Sequence, residues 1–192
     1  GKTSYTSGIT TTGAFNPTFP AFIGYADFFA RFNTAGNRIW GSYTLEPTYF
    51  AHTIVLACDD AGDLYVSGIT ELTTGIATTG THKTTLTPFA PPATAGADMY
   101  LWKFSPSGSR IWGTYYGGEY IGWPSSITTD HTGNVYIWGT TASNFDITTA
   151  DGLNPSKPDP NKSAFFLSAF NQHGQLKYGT YIGEDETIAG GE

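Results

Sequence analysis

One segment of this sequence occurs three times, and this repeat constrains the fold more than any other feature. It reads ADFFARFNTAGNRIWGSY from Ala26, ADMYLWKFSPSGSRIWGTY from Ala97 and SAFFLSAFNQHGQLKYGTY from Ser163. A second segment occurs twice in full, as TIVLACDDAGDLYVSGIT from Thr53 and SSITTDHTGNVYIWGTT from Ser125, and its latter half occurs as TSYTSGIT from Thr3. Repeats of this kind indicate that copies of one supersecondary unit stack on each other.

Each full copy predicts four short strands, named A, B, C and D in chain order, because apolar residues alternate with polar or small ones. Short turns that contain glycine separate A from B and C from D, as at Gly62 and Gly108, and such turns are typical of antiparallel hairpins. The predicted ranges are 53–58 and 125–129 for A, 4–10, 63–70 and 134–141 for B, 28–32, 99–104 and 165–170 for C, and 38–43, 110–115 and 175–181 for D.

The composition agrees with an all-β fold and restricts the partners. Aromatic residues are 16% of the 192 residues and charged residues 13%, which favours half-buried strands and argues against disorder. The net charge of −7 and the scattered basic residues argue against nucleic acid as a partner. The sequence contains no run of 18 apolar residues, so it predicts no membrane-spanning segment. Cys58, the only cysteine, is expected to be a small buried strand residue.

Four antiparallel strands that recur along the chain predict the blades of a β-propeller. We predict about three blades, at approximately residues 1–47, 48–120 and 121–192, with staggered boundaries because the pattern opens at a strand B and ends where a strand A is due. Propellers have about four to eight blades. We therefore expect either a part of a larger ring, for which seven blades is one option, or a six-bladed ring made by two copies.

The residues of the repeat also resemble a known family. The pattern ADMYLWKFSPSGSRIWGTYYGG, followed by SSITTDHTGNVYIWGTT, resembles the bacterial β-propeller repeat family known as SBBP. The shared features are Phe-Ser-Pro-Ser-Gly before strand D, the Thr-Tyr-Tyr-Gly-Gly end, and Asp-x-x-Gly-Asn-x-Tyr between A and B; in the third copy Lys177-Tyr178 replaces Ile-Trp. The resemblance implies a propeller in an exported bacterial protein, extracellular or on the cell surface, and it assigns no activity.

The long loops predict where binding occurs. Strand direction alternates within a blade, so the B–C and D–A connections share one face. That face carries the loops at 11–25, 71–96 and 142–162 between B and C, and at 44–50 and 116–124 between D and A. Long loops on a rigid scaffold are the usual location of binding residues. We therefore predict that a ligand or a protein partner binds on this face.

The D–A connections supply the candidate ligand-binding residues because they lie closest to the predicted propeller axis. These candidates are Glu46, Tyr49, Phe50, Glu119, Tyr120 and Trp123. Carboxylates beside Tyr and Trp suit the hydroxyls and ring faces of sugars, although packing between blades explains the same aromatic residues.

The sequence offers little catalytic material. It contains no Gly-x-Ser-x-Gly, no His-Glu-x-x-His and no phosphate loop, and its four histidines are isolated. Asp59, Asp60 and Asp63 fit a plain turn better than a calcium loop, so no metal or cofactor is predicted. We predict a non-catalytic binding or scaffold module whose partner is a protein or the remaining blades. The alternatives are a lectin-like, carbohydrate-binding propeller, and a lyase or glycosidase that uses Glu46 and Glu119.

Overall fold

The structure is a computed structural model that describes residues 1–20, 24–47, 54–89 and 96–184. These residues form strands, turns and loops, and no helix among them is long and apolar enough to cross a membrane. The strands are β1 (Lys2–Thr3), β2 (Ala26–Phe32), β3 (Arg38–Pro47), β4 (Val55–Cys58), β5 (Leu64–Thr70), β6 (Asp98–Phe104), β7 (Arg110–Tyr116), β8 (Gly122–Thr129), β9 (Val135–Thr141), β10 (Ala164–Phe170) and β11 (Leu176–Glu184).

The strands form three antiparallel sheets in which spatial order follows chain order. The first sheet contains β1 to β3, the middle sheet β4 to β7, and the third sheet β8 to β11. The predicted four-stranded antiparallel units are therefore confirmed for the middle and third sheets. The all-β class is also confirmed, and closure of these sheets into a propeller ring stays a prediction.

The three sheets stack face to face, and the middle sheet is buried on both sides. Trp40 of the first sheet and Trp102 of the middle sheet share one apolar cluster. Leu101 of the middle sheet and Phe166 of the third sheet share a second cluster. All seven residues of β6 are buried for this reason. Burial of apolar area between the sheets is thus the main stabilising contribution.

One tryptophan position joins each sheet to the next. The Nε1–H of Trp40 in β3 donates to the carbonyl oxygen of Pro106, at 2.9 Å. The Nε1–H of Trp112 in β7 donates to the carbonyl oxygen of Gln172, at 2.8 Å. Pro106 and Gln172 occupy the same position of the C–D turn in the middle and third sheets. The two interfaces between sheets therefore repeat one arrangement.

Replacing Trp112 with Phe should lower the free energy of unfolding by about 1 to 2 kcal/mol, because it removes the indole donor and part of the buried ring. Urea unfolding followed by circular dichroism measures this change. Ile111→Val is the control, since Ile111 precedes Trp112 in β7 and is 49% exposed. Equal losses in the two variants would contradict a role for the hydrogen bond to Gln172.

The long B–C loops fold back along the outermost strand of their own sheet. The amides of Thr11, Thr78 and Thr149 donate to the carbonyls of Gly41, Gly113 and Gly179, at 3.2, 2.8 and 3.0 Å. An exposed strand edge invites pairing with other chains, and this arrangement covers it. Part of each loop that the sequence predicts as a binding element is therefore occupied in completing its own sheet.

The prediction of a strand B at 4–10 is wrong. The first strand is Lys2–Thr3, and residues 4–10 form bends and loop. The letters SGIT occur at 7–10 and again at 67–70, where they do lie in a strand. Residues 7–10 correspond instead to the loop at 74–77: Gly8 and Gly75 both have a positive φ, of 77° and 82°. Each of these glycines also accepts a hydrogen bond at its carbonyl from a strand-D arginine.

Candidate functional site

The sequence-predicted site residues lie in two connections between strands D and A. Tyr49 and Phe50 lie outside the described residues, and for Glu46 the backbone alone is described, within β3. Glu119 and Tyr120 lie between the end of β7 and the start of β8, Trp123 is the second residue of β8, and all three are described in full. The candidate site that can be described therefore lies at this second connection.

Two glycines allow the chain after β7 to reach the loop that follows β9. A Cβ at Gly117 would lie 2.4 Å from Oδ1 of Asp98, and a Cβ at Gly118 would lie 2.2 Å from the carbonyl oxygen of Phe145. Both distances are far below a van der Waals contact, so only glycine permits this close approach. The next residue, Glu119, is thereby placed against the loop between β9 and β10.

Glu119 is buried, with 7% of its surface exposed, and Asn144 holds it in place. Its Oε1 accepts hydrogen bonds from the Asn144 backbone amide at 2.9 Å and from the Asn144 side-chain amide at 3.1 Å. Its Oε2 and Asn144 Oδ1 are both buried, and neither has a hydrogen-bond partner among the described residues. Unsatisfied buried acceptors are rare and cost free energy, so this pair of atoms requires an explanation.

An open pocket of about 430 Å³ lies beside this pair. Tyr120 comes from the connection after β7, and the other lining residues come from the loop between β9 and β10. The pocket is lined by Tyr120, Ala142, Asn144, Lys157, Pro160, Asn161, Lys162 and Ser163. An exposed tyrosine, two lysines and two asparagines give it both hydrogen-bond donors and acceptors.

Lys157 is one of several residues of this pocket that sequence reasoning missed. It is buried, and its ammonium group donates to the carbonyl oxygen of Ala142. Burial lowers the pKa of Lys157, and the Glu119 carboxylate opposes part of that shift. The signal was a comparison of the three loops: the positions of Phe19 and Leu86 correspond to Lys157 in the third copy. This replacement of an apolar residue by lysine in one copy is the sequence signal that distinguishes the position.

Trp123 is placed differently from Tyr120. It lies half-buried on β8, where it pairs with Thr140 of β9, and it does not line the pocket. A Cβ at Gly139 would lie 2.2 Å from the Trp123 carbonyl oxygen. The structure therefore brings together Glu119 and Tyr120 of the predicted set, with Asn144 and Lys157 added.

Two of the three aspartates in the acidic turn on the opposite face pair with one lysine of the same sheet. Lys103 Nζ lies 3.0 Å from Asp63 Oδ2 and 3.5 Å from Asp59 Oδ2. The Tyr65 hydroxyl donates to Asp59 Oδ2 at 3.2 Å. In the described ranges no group of three or more His, Cys, Asp or Glu could hold a metal ion. The expectation that Cys58 is buried is wrong, since this residue is exposed where β4 meets the turn.

A scan against protein-family models found no match for this chain, and a search of the curated proteins found no match either. The resemblance to the SBBP repeat accordingly stays a prediction from the residues of the sequence.

Proposed function

We propose that this chain is a non-catalytic binding module, built on propeller blades of an exported bacterial surface protein, and that its ligand occupies the pocket beside Glu119. The observation that carries this proposal is a pair of unsatisfied buried acceptors next to an open pocket: Oδ1 of Asn144, a residue that lines the pocket, and Oε2 of Glu119, which lies behind Asn144. A ligand in the pocket that donates a hydrogen bond would satisfy Asn144 Oδ1, and Glu119 would hold Asn144 in place for that contact.

The lining of the pocket favours binding over catalysis. Among its lining residues, all from the described part of the chain, there is no His, Asp or Glu. Glycoside hydrolysis typically needs two carboxyl groups about 5 to 10 Å apart across the scissile bond. Glu119 behind the wall is held by two donors from Asn144, which suits an orienting role. A panel of polysaccharides and chromogenic glycosides should yield no product, and turnover that disappears in Glu119→Gln would overturn the non-catalytic proposal.

A carbohydrate is the second candidate, and the composition of the pocket favours it over a purely apolar ligand. Sugar hydroxyls both donate and accept, so they can donate to Asn144 while they accept from a lysine. Tyr120 is 42% exposed and offers a ring face on which a sugar ring can pack. The protein partner predicted from the sequence is the other candidate for the same face.

Replacing Tyr120 with Ala should weaken carbohydrate binding at least tenfold, because the exposed ring at the pocket is lost. An array of immobilised mono- and oligosaccharides identifies the ligand, and titration calorimetry with that sugar measures the loss. Tyr25→Ala is the matched control, since Tyr25 is 55% exposed and does not line the pocket. An array without any hit would overturn the carbohydrate candidate. Sugar binding that is unchanged in Tyr120→Ala would place the site elsewhere.

A further inference from the structure

The first and third sheets lie at the two ends of the stack. Each has one outer face that no other described sheet covers. On the outer face of the third sheet, Trp138 and Phe165 stack with ring centroids 5.4 Å apart. Leu167 beside them is half-buried, whereas the equivalent Leu101 of the middle sheet is fully buried against the third sheet. The third sheet therefore presents an apolar face whose counterpart in the middle sheet is an interface.

The first sheet presents the opposite half of such an interface at Phe32. Phe32 ends β2 and is 58% exposed. The equivalent residues, Phe104 at the end of β6 and Phe170 at the end of β10, are both 0% exposed. Phe104 is covered by Phe29 of the preceding sheet, whose ring centroid lies 5.0 Å away. This position of the repeat is therefore buried at an interface in the middle and third sheets. In the first sheet, no other described sheet covers Phe32.

The C–D turn of the first sheet is uncovered in the same way as Phe32. A Cβ at Gly108 would lie 2.8 Å from the ring of Trp40, and a Cβ at Gly174 would lie 2.9 Å from the ring of Trp112. In both turns, a tryptophan of the preceding sheet lies over the glycine. No atom of the described residues lies within 4 Å of the Cβ position of the equivalent Gly36. The outer face of the first sheet therefore has space at Gly36 for an aromatic side chain from another sheet.

We propose that the third sheet of one copy of this chain docks, head to tail, on the first sheet of a second copy. Leu167 occupies the position of Phe29 and Tyr178 that of Trp40, so the third sheet carries the side chains that would cover Phe32 and Gly36. The interface continues the arrangement that already joins the first sheet to the middle one, and the middle one to the third.

A second copy is the occupant because this chain carries both halves of the contact. The contact is heterologous, since different surfaces of the two copies meet. Two copies can satisfy both open faces at once, and the closed pair then contains six sheets. This number of sheets lies within the range of about four to eight blades seen in propellers.

Light scattering of the whole chain tests the proposal. The mass should be twice the chain mass of 20.6 kDa at micromolar concentration. Phe32→Asp and Leu167→Asp should each give the mass of one chain. An equimolar mixture of these two variants should again show pairs, because the intact third sheet of one variant meets the intact first sheet of the other.

The control is Ile39→Asp, which should keep the mass of two chains. Ile39 is 50% exposed, and the equivalent Ile111 is 49% exposed even though it belongs to the middle sheet, so this position lies outside the interfaces. Circular dichroism should show that all variants stay folded. A wild-type chain of single mass would overturn the proposal, as would a mixture that stays at single mass. Masses that rise continuously with concentration would overturn the closed pair.

Discussion

Replacing Lys83 with Met should lower the free energy of unfolding by about 3 kcal/mol at neutral pH, because it leaves a buried carboxylate without its cation. The Lys83 ammonium lies 3.1 Å from Asp98 Oδ2, and the Asp98 side chain is 0% exposed. The amide of Thr87 donates to the same oxygen at 2.9 Å, while the buried Asp98 Oδ1 has no hydrogen-bond partner in the described ranges. Urea unfolding followed by tryptophan fluorescence measures the loss.

The pH dependence separates this mechanism from a simple loss of packing. Burial raises the pKa of Asp98, and the Lys83 charge opposes that shift. Removing Lys83 should therefore raise the pKa of Asp98 further. The folded variant then binds a proton more readily than the unfolded chain does, so its stability deficit should shrink as the pH falls below neutral.

Lys177→Met is the matched control, because Lys177 is an exposed lysine of β11. It should change the free energy of unfolding by less than about 0.5 kcal/mol, at any pH. A deficit for Lys83→Met that is the same at pH 5 and pH 7.5 would contradict the role assigned to the Asp98 charge.

Replacing Gly113 with Ala should lower the free energy of unfolding by about 2 to 3 kcal/mol, because the methyl group has no space. Its Cβ would lie 2.2 Å from the carbonyl oxygen of Ile76 and 2.6 Å from the ring of Trp102. The carbonyl cannot move away without loss, since it accepts the Trp102 Nε1–H at 3.1 Å. Thermal unfolding by calorimetry measures the effect.

The other copies of the repeat supply matched variants. A Cβ at Gly41 would lie 2.4 Å from the carbonyl oxygen of Ile9, and a Cβ at Gly179 would lie 2.4 Å from that of Ile147. Gly41→Ala and Gly179→Ala should therefore also destabilise. Gly13→Ala is the control: Gly13 has a φ of 78° but no atom within 4 Å of its Cβ position, so this change should cost about 1 kcal/mol. A cost for Gly113→Ala no larger than that of Gly13→Ala would contradict the steric argument.

The strands and tight turns were predictable from the sequence because they depend on neighbouring residues. The turn glycines Gly62, Gly108, Gly133 and Gly174 all have a positive φ. The alternation of apolar residues predicted β5, β6, β9 and β10 because the sheets bury one or both faces. The prediction failed at 4–10, where the letters SGIT of a true strand recur in a loop. Four residues do not determine whether a segment pairs with a strand or crosses to the outer edge of a sheet.

The site shows the same division between local and distant information. The sequence by itself determined that the connection after β7 carries Glu119 and Tyr120, because the repeat shows where strand D ends. The tertiary structure alone decided that Asn144 would hold Glu119 and that Lys157 would reach the same pocket. Those residues belong to a loop 25 to 38 positions further along the chain. The course of that loop depends on its hydrogen bonds to β11 and on the space left by Gly118, and neither is visible in local sequence.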